Sequence, residues 1–288
     1  MTDTTSAVER VVATVAQTAS DIHHGLVDRR VTADGENPSG ETQFEADVFA
    51  DELLADQLSS IDGVAQYASE ERADPVDFAP DGLAVAADPV DGTSNLPSNN
   101  TMGTVFGIYD ASLPAPGTAL VAAGYVLYGP LTTMMVAHDG TVTEYALVDG
   151  DRTVIRDDVT IPATPTVYGF GGRVPTWIDD FHEFARGIET DDELALECHY
   201  SGAMINDVNQ VLTKGGIFAY PALENSPNGK LRLQFEGNPI GYIIETAGGR
   251  SSDGSRSILD VEPTDLHDRV PLHVGNPELV ERLEAAIG

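Results

Sequence analysis

Near the start of the chain Val8, Val11, Val12, Val15, Ala19 and Ile22 recur at intervals of three and four, which predicts an amphipathic first helix. A polar, glycine-containing stretch follows over residues 32–40, and a second helical pattern runs over residues 43–58. The apolar run at residues 83–87 reads as a buried strand that ends at Asp88. Further strands are expected at residues 104–109, 120–127, 132–137 and 142–147, the last two as a hairpin closed at Asp139-Gly140. Residues 149–166, rich in Asp, Thr and Pro, read as a connection between two halves, 1–160 and 161–288. Beyond it the pattern predicts helices over 177–186 and 202–212 and a strand over 216–220. Asn238-Pro239 and Asn276-Pro277 each supply an N-cap and a first-turn proline for a helix, and Gly248 supplies a stop for the first of them.

One segment carries a finer pattern. Lys230, Arg232, Gln234 and Glu236 alternate with Leu231, Leu233 and Phe235, which predicts a strand with its polar residues on one face. At ~3.3 Å per residue that face would spread a cation and an acid over about 20 Å.

Composition changes the picture mainly through charge. The 288 residues are 41% hydrophobic, enough for a substantial core, yet 47 acidic residues face 15 basic ones for a net charge of −32. Only Lys214 and Lys230 are lysines. Regular apolar segments exclude disorder as the reason for so much charge. The composition suits a protein of molar salt, where a Debye length of about 3 Å quenches repulsion between surface carboxylates. It argues against nucleic acid or an anionic membrane as partner. Cys198 is the single cysteine, so no intrachain disulfide is expected, and it reads as a small buried hydrophobe. The first apolar stretch is interrupted by Glu9 and Arg10, and no apolar run approaches the ~20 residues of a membrane span, so a soluble, cytoplasmic protein is expected.

The chemistry concentrates in Asp88-Pro89-Val90-Asp91-Gly92-Thr93-Ser94-Asn95. Any one Asp of so acidic a chain is ordinarily a solvated charge, and Asp-Pro or Asp-Gly by itself is ordinarily a turn. Here two carboxylates follow a buried strand, and small residues with hydroxyls and backbone N–H groups come directly after. Hard cations take carboxylate and phosphate oxygens together, and free N–H groups suit the phosphate. Metal and phosphate sites would then be contiguous, as phosphoester hydrolysis requires.

That segment resembles the metal motif of the inositol-monophosphatase and fructose-bisphosphatase superfamily, with Ala68-Ser69-Glu70-Glu71 lying where the superfamily places its acidic pair. Gly103-Thr104-Val105-Phe106-Gly107-Ile108-Tyr109 and the run from Gly215 to His267, with GGIFAYPA, SPNGKLRLQFEGNP, AGG and ILDVEPTDLH, are similar to class I fructose-1,6-bisphosphatases. The resemblance implies an α+β fold layered as an α-β-α-β-α sandwich, with a metal- and phosphate-binding first half and a sugar-binding second half. It implies Mg²⁺ as cofactor, two or more ions with Mn²⁺ as an alternative, held by Glu70, Asp88, Asp91, Glu236 and the Val90 carbonyl. Glu71 and Asp47 would orient or deprotonate the attacking water. Gly92, Thr93 and Ser94, helped by Arg232, would hold the reacting phosphate, and Tyr200, Met204, Tyr220 and Lys230 the sugar and its distal phosphate. Glu41 matches a family aspartate on a mobile loop. Where the family has an arginine for the neighbouring subunit's distal phosphate this chain has His199, and Arg173, between Gly171 and Val174, is a candidate to restore the charge.

The implied activity is release of the 1-phosphate of fructose 1,6-bisphosphate in gluconeogenesis, by a homo-oligomer (dimer or tetramer). The alternatives are a sedoheptulose-1,7-bisphosphatase, a broader sugar or inositol phosphatase, and a non-catalytic sugar-phosphate sensor. The charge yields a test of its own: the melting temperature should drop when molar salt is replaced by dilute buffer, and an unchanged value would refute adaptation to salt.

Overall fold

The computed structural model describes residues 2–40 and 42–288. Six helices carry most of the apolar stripes: α1 (Thr2–Gly25), α2 (Glu45–Ser59), α3 (Asp179–Glu189), α4 (Met204–Lys214), α5 (Asn238–Thr246) and α6 (Pro277–Ile287). A short antiparallel pair, β1 (Thr32–Glu36) and β2 (Thr42–Phe44), occupies much of the polar stretch between α1 and α2. Then come β3 (Val64–Ser69), β4 (Val76–Asp77), β5 (Leu83–Asp91), β6 (Met102–Tyr109), β7 (Leu120–Tyr128), β8 (Thr132–His138), β9 (Thr141–Val148) and β10 (Asp151–Arg156). These eight form one sheet in the order β10-β9-β8-β7-β6-β5-β3-β4, antiparallel except for the β3–β5 pair. The second half adds β11 (Val167–Phe170), β12 (Glu197–Cys198), β13 (Gly216–Tyr220), β14 (Leu231–Arg232), β15 (Arg250–Ser252), β16 (Arg269–Val270) and β17 (Leu272–Gly275). Five of them form a mixed sheet, β12-β11-β13-β17-β15, while β14 pairs with β16.

Strand alternation assigns the layers. On the large sheet Phe106, Ile108, Ala122, Val126, Met134 and Val136 share a core with α1 and α2. Their neighbours Val105, Ala123, Tyr125, Met135 and Ala137 point the other way, into a core shared with α4, α5 and Phe218, Leu272 and Val274 of the small sheet. The opposite face of that sheet, Tyr168, Phe170, Ile217 and Ala219, packs on α3 and α6. The result is the expected five-layer α-β-α-β-α sandwich, because each sheet has two apolar faces and both must be covered.

Several expectations need correction. The alternation over residues 230–236 is not a long strand: β14 is two residues, and Leu233–Gly237 winds as a single π-helical turn. Every residue from Leu231 to Gly237 is buried, so the period-two pattern does not separate a wet face from a dry one. The turn brings Glu236 back onto Arg232, whose N–H donates to Glu236 Oε2 at 2.6 Å, and the expected wide spacing disappears. Residues 151–156 belong to the edge strand β10 rather than to a connection. Trp177 and Gly202 precede their helices, which begin at Asp179 and Met204. Neither asparagine caps through its side chain. Asn276 Oδ1 instead accepts from Gly216 N at 2.7 Å, and Asn238 lies within α5, its amide donating to Ala115 O. Cys198 is exposed, since β12 lies at the outer edge of its sheet.

Phe106 is 1% exposed between the large sheet and the α1–α2 layer. Phe106→Ala should cost about 3–5 kcal/mol of unfolding free energy. Denaturant titration in molar KCl checks this, and a loss below about 1 kcal/mol would show that the layer is not tightly packed there.

Candidate active site

The site starts from a register fault. Asp88 pairs with Val105 and Asp91 with Gly103, so three steps along β5 oppose two along β6. One extra residue is a β-bulge. Residues three apart on a regular strand face opposite ways; the bulge lets Asp88 and Asp91 turn to the same side. Glu236, delivered by the π-turn, completes a group in which carboxylate oxygens of Asp88, Asp91 and Glu236 all lie within 4.8 Å of one another, each residue buried. Val90 N donates to Asp88 Oδ1 at 3.0 Å, and Ile205 N, in the first turn of α4, donates to Asp91 Oδ2 at 2.9 Å.

Two glycines let α4 come this close. Gly92 has φ +82°, and a Cβ on it would lie 2.4 Å from Ala203 Cβ; one on Gly103 would lie 2.0 Å from Val126 O and 2.7 Å from Ile205 Cδ1. Residues Thr93–Ser98 then form a 3₁₀ turn.

A second acidic pair follows β3, held to β5 by the bond from Glu70 N to Ala87 O at 3.2 Å. Arg232 Nη2 lies 2.8 Å from Glu70 Oε1, both side chains being almost wholly enclosed. Gln43 of β2 donates to Glu71 Oε2 at 2.5 Å. Asp47 sits in the first turn of α2, where Oδ2 accepts from Phe44 N at 2.8 Å and Oδ1 from Thr93 Oγ1 at 2.6 Å. Thr93 Oγ1 also lies 2.7 Å from the Val90 carbonyl.

So many buried acids in one place cannot all ionise without a compensating cation. Burial, then the neighbouring carboxylates, push Glu71 up to about 8. Burial, then Glu70, push Glu236 up to about 8, and burial, against the opposing Ile205 hydrogen bond, raises Asp91 to about 7. Asp88 is raised well above the carboxylate range by burial and by Glu70, and Asp47 is raised by burial. An all-oxygen, multiply anionic, buried donor set fits a hard divalent cation, whose charge would reverse each of these shifts.

All of these residues line one cavity of about 370 Å³. It brings together Asp47, Glu70, Glu71, Asp88, Val90, Asp91, Gly92, Thr93, Ser94, Tyr200, Met204, Tyr220, Lys230, Arg232 and Glu236, which are the residues expected for the metal, the attacking water, the reacting phosphate and the sugar. Glu41 lies outside the described residues. His199 and Arg173 are not on the cavity wall; His199 Nε2 lies 3.4 Å from Glu197 Oε2, and Gly171 is pressed against the Tyr220 ring. The sequence reading missed Asn37 and Gln43, which reach the acidic pair from β1–β2 and its turn. Their only signal was a polar stretch running directly into the Asp47 helix.

Comparison with known proteins bears on this cavity. Residues 3–153 match the family described as "Fructose-1-6-bisphosphatase, N-terminal domain", and residues 161–288 match its "C-terminal domain". The chain belongs to the fructose-1,6-bisphosphatase family. A fructose-1,6-bisphosphatase class 1 of Natronomonas pharaonis is 57% identical over 98% of this chain and 99% of its own. One from Haloarcula marismortui is 52% identical over 99% and 97%. The crystal structure of Leishmania major fructose-1,6-bisphosphatase in holo form superposes with a TM-score of 0.91 at 26% identity, covering 97% of this chain and 94% of that one.

The raised carboxylates give this fructose-1,6-bisphosphatase family member a pH signature. A folded-state pKa above the unfolded value contributes stability that is present at low pH and lost as pH rises through the folded pKa. With divalent cations chelated in molar KCl, stability should therefore fall as pH rises through about 7 to 8. A divalent cation should raise the melting temperature more at pH 8 than at pH 6. A cation effect independent of pH would contradict the assignment of these carboxylates to a metal site.

Proposed function

We propose that the chain hydrolyses the 1-phosphate of fructose 1,6-bisphosphate to fructose 6-phosphate and phosphate, the gluconeogenic reaction. The observation that carries this reading is convergence. Relatives named fructose-1,6-bisphosphatase align over nearly the whole chain, and the acids that such chemistry needs meet in one cavity with Lys230 and Arg232. In this reading the cofactor is Mg²⁺, two or more ions with Mn²⁺ as an alternative, held by Glu70, Asp88, Asp91, Glu236 and the Val90 carbonyl. When bound it supplies an acidified water and offsets charge on the phosphoryl oxygens.

The chain's own residues do the rest. Gly92, Thr93 and Ser94 bind the reacting phosphate through backbone N–H groups and hydroxyls. Arg232 has five N–H donors in a fixed fork, so pairing with Glu70 and holding a phosphate are compatible. Glu71, with Asp47 beside it in the cavity, accepts the water's proton as the new O–P bond forms and the bond to the sugar oxygen breaks; that oxygen then takes up a proton from solvent. Tyr200, Met204, Tyr220 and Lys230 hold the sugar and the 6-phosphate, fixing which phosphate reacts. A non-catalytic sensor is disfavoured because no acid of the set is missing.

A second reading is sedoheptulose 1,7-bisphosphate as substrate: where the family has an arginine for the neighbouring subunit's distal phosphate this chain has His199, which is not on the wall of its own cavity. In this reading metal and phosphate handling fall to residues 1–160 and sugar binding to 161–288, with Arg232 and Glu236 contributed by the second half. We further assign the protein to a salt-rich cytoplasm and to a homo-oligomer, dimer or tetramer. Relatives from halophilic archaea and a net charge of −32 support the salt. Among the described residues no helix is long and apolar enough to cross a membrane.

Phosphate release from fructose bisphosphate, sedoheptulose bisphosphate and inositol monophosphate, with Mg²⁺ in molar KCl, tests the reading. Fructose bisphosphate should turn over fastest, and Asp91→Asn should lower kcat by at least about 10²-fold. Silence on all three substrates would overturn the enzyme, and equal turnover of the monophosphate would overturn the bisphosphatase.

A further inference from the structure

We propose that Gln43 is a positioning residue for the hydrolytic step: its carboxamide holds one oxygen of Glu71 so that the carboxylate offers the other to the attacking water. The inference rests on the reading of Glu71 as proton acceptor and adds the group that orients it.

Glu71 stands just past the end of β3, on a turn, where the ladder no longer fixes it. Its backbone N–H is held by Ser69 Oγ at 3.1 Å. Its carboxylate has one hydrogen bond among the described residues, the 2.5 Å contact from Gln43 Nε2 to Oε2. The terminal torsion of a glutamate is broad and roughly twofold, so a carboxylate without a partner would present either oxygen, at a range of tilts. One donor on Oε2 removes that freedom and leaves Oε1 for the cavity that Glu71 lines.

Gln43 is itself well placed to give direction. It is the middle residue of β2, between Thr42, registered with Glu36, and Phe44, registered with Thr32. Phe44 N donates to Asp47, and Glu45 N donates to Val31 O at 3.1 Å, so the strand is tied at its exit into α2. One short segment, residues 43–47, therefore aims both acids assigned to the water: Asp47 directly and Glu71 through the amide. The chemistry of the amide suits the task. A lysine at this position would neutralise Glu71 and weaken it as a proton acceptor, whereas a carboxamide donates without carrying charge.

Gln43→Met keeps length and removes the donor. In the metal-loaded protein in molar KCl it should lower kcat about tenfold, part of what a misplaced general base costs, and leave KM within about twofold. The melting temperature and Mn²⁺ affinity, read by electron paramagnetic resonance, should stay at wild-type values. In a Glu71→Gln background the same substitution should change kcat by less than about twofold, because residues acting through one group are not additive. Equal losses in both backgrounds, a change confined to KM, weakened Mn²⁺ binding, or an unchanged kcat would each overturn the inference. Wild-type turnover separates the two claims: its absence sinks the phosphatase reading, whereas an active wild type with any of those patterns sinks Gln43 alone.

Discussion

Repulsion among buried carboxylates is the constraint around which this molecule is arranged. Asp88, Asp91 and Glu236 stand within a few ångströms of one another, each buried, in one cavity with Glu70, Glu71 and Asp47 beside them. Nothing in a folded chain gathers such groups for stability, because each raises the cost of ionising the next. The fold supplies partial relief: the Arg232 guanidinium on Glu70, the Ile205 N–H on Asp91 and the Gln43 amide on Glu71. None is enough to hold every acid charged, and a cation completes what they leave open. The five apolar layers give this unfavourable cluster a rigid place to sit.

Much of that was legible along the chain. Helical periodicity found α1, whose one dry face the spacing of apolar residues reports, and the apolar runs found β5 to β9, of which β5 and β6 are buried along their whole length. Asp88 and Asp91 were readable as a pair because they end an apolar run and precede small residues, and both lie within β5. The failures share a cause. Between Leu231 and Gly237 every position is buried, so alternation lost its meaning and a π-turn was mistaken for a strand. Cys198 was read from the habits of its residue type, but a two-residue edge strand exposes it.

Gln43 and Asn37 were invisible for a different reason. Nothing in a polar stretch says which of its side chains will meet an acid from a strand 28 residues further on. Only the closure of β1 on β2 and the entry into α2 make that meeting specific. Long-range polar contacts of this kind are set by topology, which local pattern does not encode, whereas the acids themselves were marked by short-range context.

The bulge on β5 bears on how such a site can vary. With two steps along β6 opposing three along β5, the centre sits at a one-residue surplus in the β5–β6 ladder. Delete a residue between Asp88 and Asp91 and the sheet gains regular pairing with both acids on one face, two apart, but the bulge that seats the Val90 N–H on Asp88 and the Val90 carbonyl beside Thr93 is lost. Substitutions around the cavity can tune it by degrees, but a change of chain length here has no intermediate. This stretch should be far less tolerant of insertion and deletion than of side-chain replacement, an asymmetry that belongs to the arithmetic of pairing and not to the chemistry of any one residue.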